Sequence, residues 1–318
     1  MQKILLFIAS LFYFNSLFAK DEIKSWQGIH ETPLSRLEQQ FADPPVEFAN
    51  HVIWGWEGKM DKKTICNDLD SIKKKGFRAI IFEAGYKLPF KYLSEEWFKA
   101  IRTGVLEAKK RGMKVWIIDE GKYPSGFAGG KFSQERPDLR MQALVIGDTI
   151  QIKRGEVMTN HKIAPEIISA VAVSTSGAPN RTVAINNGEI SFNAGLDDWK
   201  ILLVKSDFRT AVTRAVNNPN GGKDATNSLC DYLNPVAVQQ FIDWTHEQYK
   251  KYLGKELGTT VLGFRGDEPD YAHLPWTPSI VQTFKDTKGY DPTPYLASFF
   301  TTSPLSLIHI SEPTRRVV

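Results

Sequence analysis

The sequence predicts an α/β fold: a (β/α)8 barrel of the TIM type, incomplete as written, with an inserted β-rich subdomain. Three observations predict it. Between His51 and Ile118, apolar strand-like runs alternate with amphipathic helical stretches, the pattern of a parallel sheet with right-handed crossovers. From about Met141 to Lys205 the segments become short and β-like, with no helical pattern between them. From Pro235 a helix-then-strand unit resumes and ends near Phe264.

Taken in order, residues 1–19 read as a signal peptide: Lys3 supplies the positive start, and Ile4 to Phe14 is apolar but short for a membrane span. Export to a periplasm or beyond is expected, with no stable membrane span. Residues 20–45 form a lead-in with a short helix around Leu34 to Phe41. The first part of the barrel, 46–140, holds three strand–helix repeats. His51 to Trp56 is a strand, and Asp61 caps a helix whose Ile65, Leu69 and Ile72 share one face until Gly76. Phe77 to Phe82 is the second strand, and a helix capped by Ser94 runs to Arg111 before Gly112. Met113 to Ile118 is the third strand.

The insertion, 141–205, contains the β-like runs Ala143–Ile152, Ala170–Thr175, Thr182–Ile185, Glu189–Phe192 and Trp199–Lys205. The last of these could belong to the insertion or to the barrel. Residues 206–304 return to the barrel pattern. One long helix is expected from Pro235 to Leu257, with Asn234 as cap and Pro at its first position, then a strand Thr260–Phe264 and a helix Pro278–Lys288. Residues 305–318 do not continue the pattern. They resemble adapter read-through joined to a truncated frame; the plainer alternative is an ordinary C-terminal strand and tail.

Composition narrows the function. Of 318 residues, 42% are hydrophobic and 24% charged, as in ordinary globular domains. The net charge of +4 comes with no basic stripe interleaved with aromatics, so no nucleic-acid partner is expected. Cys66 and Cys230 do not make a disulfide framework, and no Cys/His spacing suggests zinc. His51, His161, His246 and His273 are read as structural or surface residues. Composition says nothing of oligomeric state.

Chemistry concentrates at two strand ends. Asp119-Glu120 is followed by a loop carrying Gly121, Gly126, Gly129 and Gly130, and Asp267-Glu268 follows the strand ending at Phe264. In a barrel both acid pairs overhang one mouth. Carboxylates paired across a cleft are what glycoside hydrolysis needs, one protonated toward the leaving oxygen and the other ionised toward water or the sugar. The plainer alternative is that they cap the following segments or pair with basic residues. Trp54, Trp56, Tyr86, Tyr123, Tyr271 and Trp276 lie at or just beyond strand ends, where aromatic faces can stack on sugar rings or simply pack. Glu83 and Asp231 are further candidates for holding a hydroxyl, orienting a catalytic group or ligating calcium.

These motifs resemble a known group. The strand ending Trp54-Gly55-Trp56, the segment Tyr92 to Trp97, the run Asp119 to Gly130, the stretch Asp231-Tyr232-Leu233-Asn234-Pro235, and Gly266-Asp267-Glu268-Pro269 together look like the barrel part of glycoside hydrolase family 106, the α-L-rhamnosidases, and their relatives. The resemblance covers about Val46 to Arg140 and Asp231 to Leu296. It implies an inverting exo-glycosidase acting on a carbohydrate, with two glutamates as acid and base and a calcium ion near the substrate. Carried over, Glu120 looks like the general acid and Glu268 the general base, although the two could exchange or Glu83 could take one role. A glycosidase of another sugar specificity, and a non-catalytic sugar-binding module on a degenerate barrel, are the competing readings.

Overall fold

A computed structural model of the chain describes residues 33–42, 50–85, 87–121, 124–209, 228–267, 269 and 274–301. The leader 1–19 and the tail 305–318 lie outside them. In chain order the elements are α1 (Leu34–Ala42), β1 (His51–Trp56), α2 (Lys62–Lys74), β2 (Ala79–Ala84), α3 (Glu95–Lys110), β3 (Lys114–Ile118) and α4 (Lys131–Glu135). Then come β4 (Gln142–Ile152), β5 (Val157–Lys162), β6 (Ile167–Ser174), β7 (Arg181–Thr182), β8 (Ile185–Asn186), β9 (Glu189–Asn193) and β10 (Trp199–Phe208). The chain continues with α5 (Pro235–Trp244), α6 (His246–Leu253), β11 (Val261–Arg265), β12 (Pro275–Trp276) and α7 (Ile280–Lys288), followed by a 3-10 turn at Thr293–Phe300.

The expected caps form. Asp61 accepts from Thr64 N at 2.8 Å, Ser94 from Trp97 N at 3.3 Å and Asn234 from Val236 N at 3.0 Å. Each satisfies one of the amides that a helix start leaves without a partner.

β1, β2, β3 and β11 form one parallel sheet in that order. A doubly wound sheet reverses direction at its first strand; this one advances by one strand each time, as a barrel does. Four parallel strands are described, and they do not close a barrel. Every second side chain faces the helices: Trp56, Ile80, Phe82, Val115, Ile117 and Val261 pack with Trp97, Ile101 and Val105 of α3 and with Tyr249 and Leu253 of α6. Side chains on a strand alternate faces, so the intervening residues Ile53, Gly55, Glu83 and Trp116 look the other way, inward from the face that the helices cover. Glu256, buried just before β11, accepts from Lys109 Nζ at 2.9 Å and from Thr260 Oγ1 at 2.7 Å, which ties α3 to the start of β11.

The chain between β3 and α5 leaves this sheet. β12, β4, β10, β6 and β7 make a five-stranded antiparallel sheet, and β5, β9 and β8 a three-stranded one. Ala170, Ala172, Ile201 and Leu203 of the larger sheet pack with Ile190 and Phe192 of the smaller. Val171, Leu202 and Val204 face the opposite way and pack with Trp276, Leu296 and Ala297. Burial on both faces explains why Ile201 to Val204 is a continuous apolar run. β10 pairs with β4 and β6, so this strand, left open between insertion and barrel, stands in the antiparallel sheet. The helix expected from Pro235 to Leu257 breaks at Thr245 (φ −115°, ψ −83°) and stops at Gly254, whose φ is +51°.

Candidate active site at the strand ends

β3 and β11 lie side by side, with Asp119 N donating to Arg265 O at 3.2 Å, so the two acid-bearing strand ends are neighbours. Ser125 joins them. Its hydroxyl donates to Asp119 Oδ1 at 2.7 Å and accepts from Asp267 N at 2.7 Å, and its own amide donates to Asp267 O at 2.9 Å. Asp119 is nearly buried. Desolvation pushes its carboxyl up, the nearby Asp267 charge adds to that, and the Ser125 bond pulls the other way.

Glu120 sits deeper, with no exposed surface. Its Oε1 accepts from Gly121 N at 2.7 Å and Gly129 N at 2.9 Å, and its Oε2 from Ala128 N at 2.6 Å. Burial outweighs these bonds and raises the carboxyl to about 7. That value suits a general acid, but an acid must reach the oxygen it protonates, and here both oxygens are engaged by the loop. In this geometry Glu120 pins the glycine-rich loop, and Asp119 beside it retains some surface.

Two glycines of the loop have no substitute. A Cβ on Gly121 would stand 2.9 Å from the buried Tyr92 ring, and Gly126 (φ +120°) would place one 2.6 Å from the Tyr232 hydroxyl, which donates to Ser125 O. Asp231 is buried next to this loop. It accepts from Leu233 N at 3.0 Å, Cys230 N bonds Gly126 O at 2.9 Å, and desolvation raises the Asp231 carboxyl.

The aromatics fall differently from the expectation. Trp56 has no exposed surface, and Trp54 packs against it and Phe82 with ring centroids 5.4 and 5.6 Å apart. Trp56 is a core residue of the sheet–helix layer and the half-buried Trp54 packs onto that core, a correction to their reading as sugar platforms. The cause is strand alternation, which sends positions 54 and 56 toward α3 while Gly55 faces inward. Trp276 is a second correction: it is buried against the five-stranded sheet through β12, beside an apolar cavity of about 380 Å3 that also touches Phe284 and Tyr295. Glu83 faces inward over Gly55, its Oε2 3.6 Å from where a Cβ there would stand. Tyr86, Tyr123, Glu268 and Tyr271 lie outside the described residues.

Three residues near the acids were not singled out for function in the sequence. Trp116 faces inward with its ring against Gly263, an inward aromatic two residues from the third strand's end that alternation alone identifies. Ser125 lies within the recognised run. His246 Nε2 is 3.9 Å from Asp119 Oδ2, a placement with no local sequence signal because it depends on the break at Thr245. Among the described residues no three His, Cys, Asp or Glu side chains are arranged to hold a metal ion.

A family model described as alpha-L-rhamnosidase matches residues 165–302. A Formosa agariphila protein named "Putative beta-glucuronidase" is 22% identical over 316 residues, an alignment covering 83% of this chain and 26% of that protein. The solved structure of a rhamnosidase from Novosphingobium sp. PP1Y superposes with a TM-score of 0.55 at 13% identity, covering 85% of this chain and 43% of that one. These matches support a glycosidase family assignment. The matched stretch runs from the insertion through β11 and begins after Asp119-Glu120, whereas the motif resemblance lay in 46–140 and 231–296. The chain spans about a quarter of the curated relative's length and less than half of the solved structure's. At 13% identity the superposition speaks to fold alone. Among the described residues no helix is long and apolar enough to cross a membrane.

Proposed function

We propose that the chain carries the acid-bearing part of an exported glycoside hydrolase, α-L-rhamnosidase-like, that removes terminal sugars from polysaccharide with inversion. The observation that carries this reading is the adjacency of β3 and β11, which brings Asp119 and Asp267 together through Ser125 at the C-terminal ends of neighbouring parallel strands. In barrels this is the end that holds the chemistry. Glu268, next in sequence to Asp267, is the proposed base that activates water. The proposed acid is Asp119, which is protonatable and retains surface, with Glu120 holding the loop that frames it. Inversion requires the acid and base carboxyls to stand about 6.5–9.5 Å apart, with the water between sugar and base. Glu83, facing inward from β2, and the inward Trp116 are placed to contact a sugar held there.

The name of the Formosa agariphila relative supports a second reading, a glycosidase of β-glucuronides on the same carboxylates. The test is hydrolysis of an aryl α-L-rhamnoside and an aryl β-glucuronide by the chain and by Asp119→Asn and Glu268→Gln. The reading predicts turnover of one substrate and its loss in both variants. Turnover indifferent to both substitutions overturns the acid and base roles. Sugar binding without turnover of either substrate favours a non-catalytic module.

A further inference from the structure

His246 opens α6 at the break in the helix, where its ring lies edge-on to Phe264 with centroids 4.4 Å apart and near Phe241 at 5.8 Å. The Thr245 hydroxyl is 2.6 Å from Phe241 O. A carbonyl has no proton to give, so the hydroxyl donates its only one there. The same hydroxyl oxygen is 2.9 Å from His246 Nδ1 and can only accept. Nδ1 therefore carries a proton, and the neutral ring turns the Nε2 lone pair toward Asp119 Oδ2, 3.9 Å away. A lone pair facing a carboxylate in a partly buried site is repelled, and one proton on either partner relieves the repulsion.

We propose that His246 is a positioning residue that, at ion-pair distance from Asp119, couples to it electrostatically so that the pair carries one proton, which Asp119 holds ready for the leaving sugar oxygen. The hydroxyl of Thr245 sets the tautomer, and the two phenylalanines hold the ring. In the reaction the pair gives its proton to the glycosidic oxygen as the C–O bond breaks. Water forms the new C–O bond and loses a proton to the base, and solvent then returns a proton to the pair. The titratable groups around the pair are Glu120 beside Asp119, Asp267 after β11, Cys230 before α5, Glu247 and Tyr249 on α6, and Tyr92 before α3. The catalytic half of this inference rests on the glycosidase reading above; the pairing does not.

The first test therefore needs no substrate. Long-range 1H–15N NMR of the full chain labelled at its 6 histidines, with His246→Gln for assignment, reads the tautomer and titration midpoint of His246. The expected result is the Nδ1–H tautomer in the neutral ring. Asp119→Asn lowers the midpoint by about one unit, because the carboxylate that favours the imidazolium is gone. Thr245→Val releases the ring to the Nε2–H form, and Thr245→Ser retains Nδ1–H. An Nε2–H tautomer in the wild-type chain, or a midpoint indifferent to Asp119→Asn, overturns the pairing. The wild-type tautomer decides even where a variant does not fold. The second test is the pH profile of kcat, whose basic limb moves to lower pH in His246→Gln. An unmoved limb overturns the catalytic half, and so does a chain that shows the pairing yet hydrolyses no glycoside.

Discussion

Replacing Glu120 with Gln removes one acceptor from a carboxylate that three backbone amides share. The Gln oxygen can keep the bonds from Gly121 N and Gly129 N, but its NH2 then faces Ala128 N, donor against donor, in a site with no exposed surface. An unsatisfied buried donor costs about 1–3 kcal/mol. The ionised carboxylate has its own penalty. Burial raises the folded carboxyl from 4.5 to about 7, so between these values the folded chain binds a proton that the unfolded chain has released. Stability from this group is therefore fullest below pH 4.5 and is lost as pH rises through 7, by roughly 3 kcal/mol over that span. Gln lacks this dependence. Urea unfolding of both proteins at pH about 4.5 and about 8 reads the two effects together. Glu120→Gln is the less stable protein at the lower pH, and the gap closes or reverses at the higher. A gap that widens with pH would refute the reasoning, because it would mean the three amides outweigh desolvation and hold the carboxylate ionised throughout.

Other predictions use neighbouring contacts. Gly126→Ala, strained at φ +120° and driven onto the Tyr232 hydroxyl, loses about 3 kcal/mol in the same unfolding assay. Trp56→Ala empties a fully buried site and loses about 3–5 kcal/mol, while leaving KM of the residual folded enzyme unchanged if Trp56 is core and not a sugar platform. Ser125→Ala removes a bond to the charged form of Asp119, so the basic limb of the kcat profile moves to higher pH, opposite in sign to His246→Gln. A metal chelator leaves the melting temperature unchanged if the described carboxylates alone hold the loop; a large drop would place calcium ligands among residues outside the described set.

The parallel sheet was legible because its strands are short apolar runs between well-capped helices: Asp61, Ser94 and Asn234 cap helices as their positions suggest. Two features were not. Val157–Lys162 pairs with β9, yet the strand is mostly exposed and polar and offers no apolar period to read. The break at Thr245 sits within an unbroken helical pattern, because a threonine hydroxyl turned back onto the Phe241 carbonyl leaves no trace in hydrophobic spacing. The nearness of the two strand-end acids was legible. Asp119 and Asp267 meet as two strand-end acids should, but which acid is engaged by its own loop depends on where the amides of Gly121, Ala128 and Gly129 point. Trp54 and Trp56 illustrate the same limit. Their position at a strand end suggests a mouth, and only the identity of the facing layer shows that they point away from it.

A crystal structure of the chain with L-rhamnose or a non-hydrolysed aryl rhamnoside bound decides where the sugar sits. The sugar is predicted over the ends of β3 and β11, with Asp119 within hydrogen-bond reach of its glycosidic oxygen and Glu268 across the ring. A sugar bound elsewhere, or lodged over β3 and β11 with neither carboxylate facing its anomeric carbon, would contradict it.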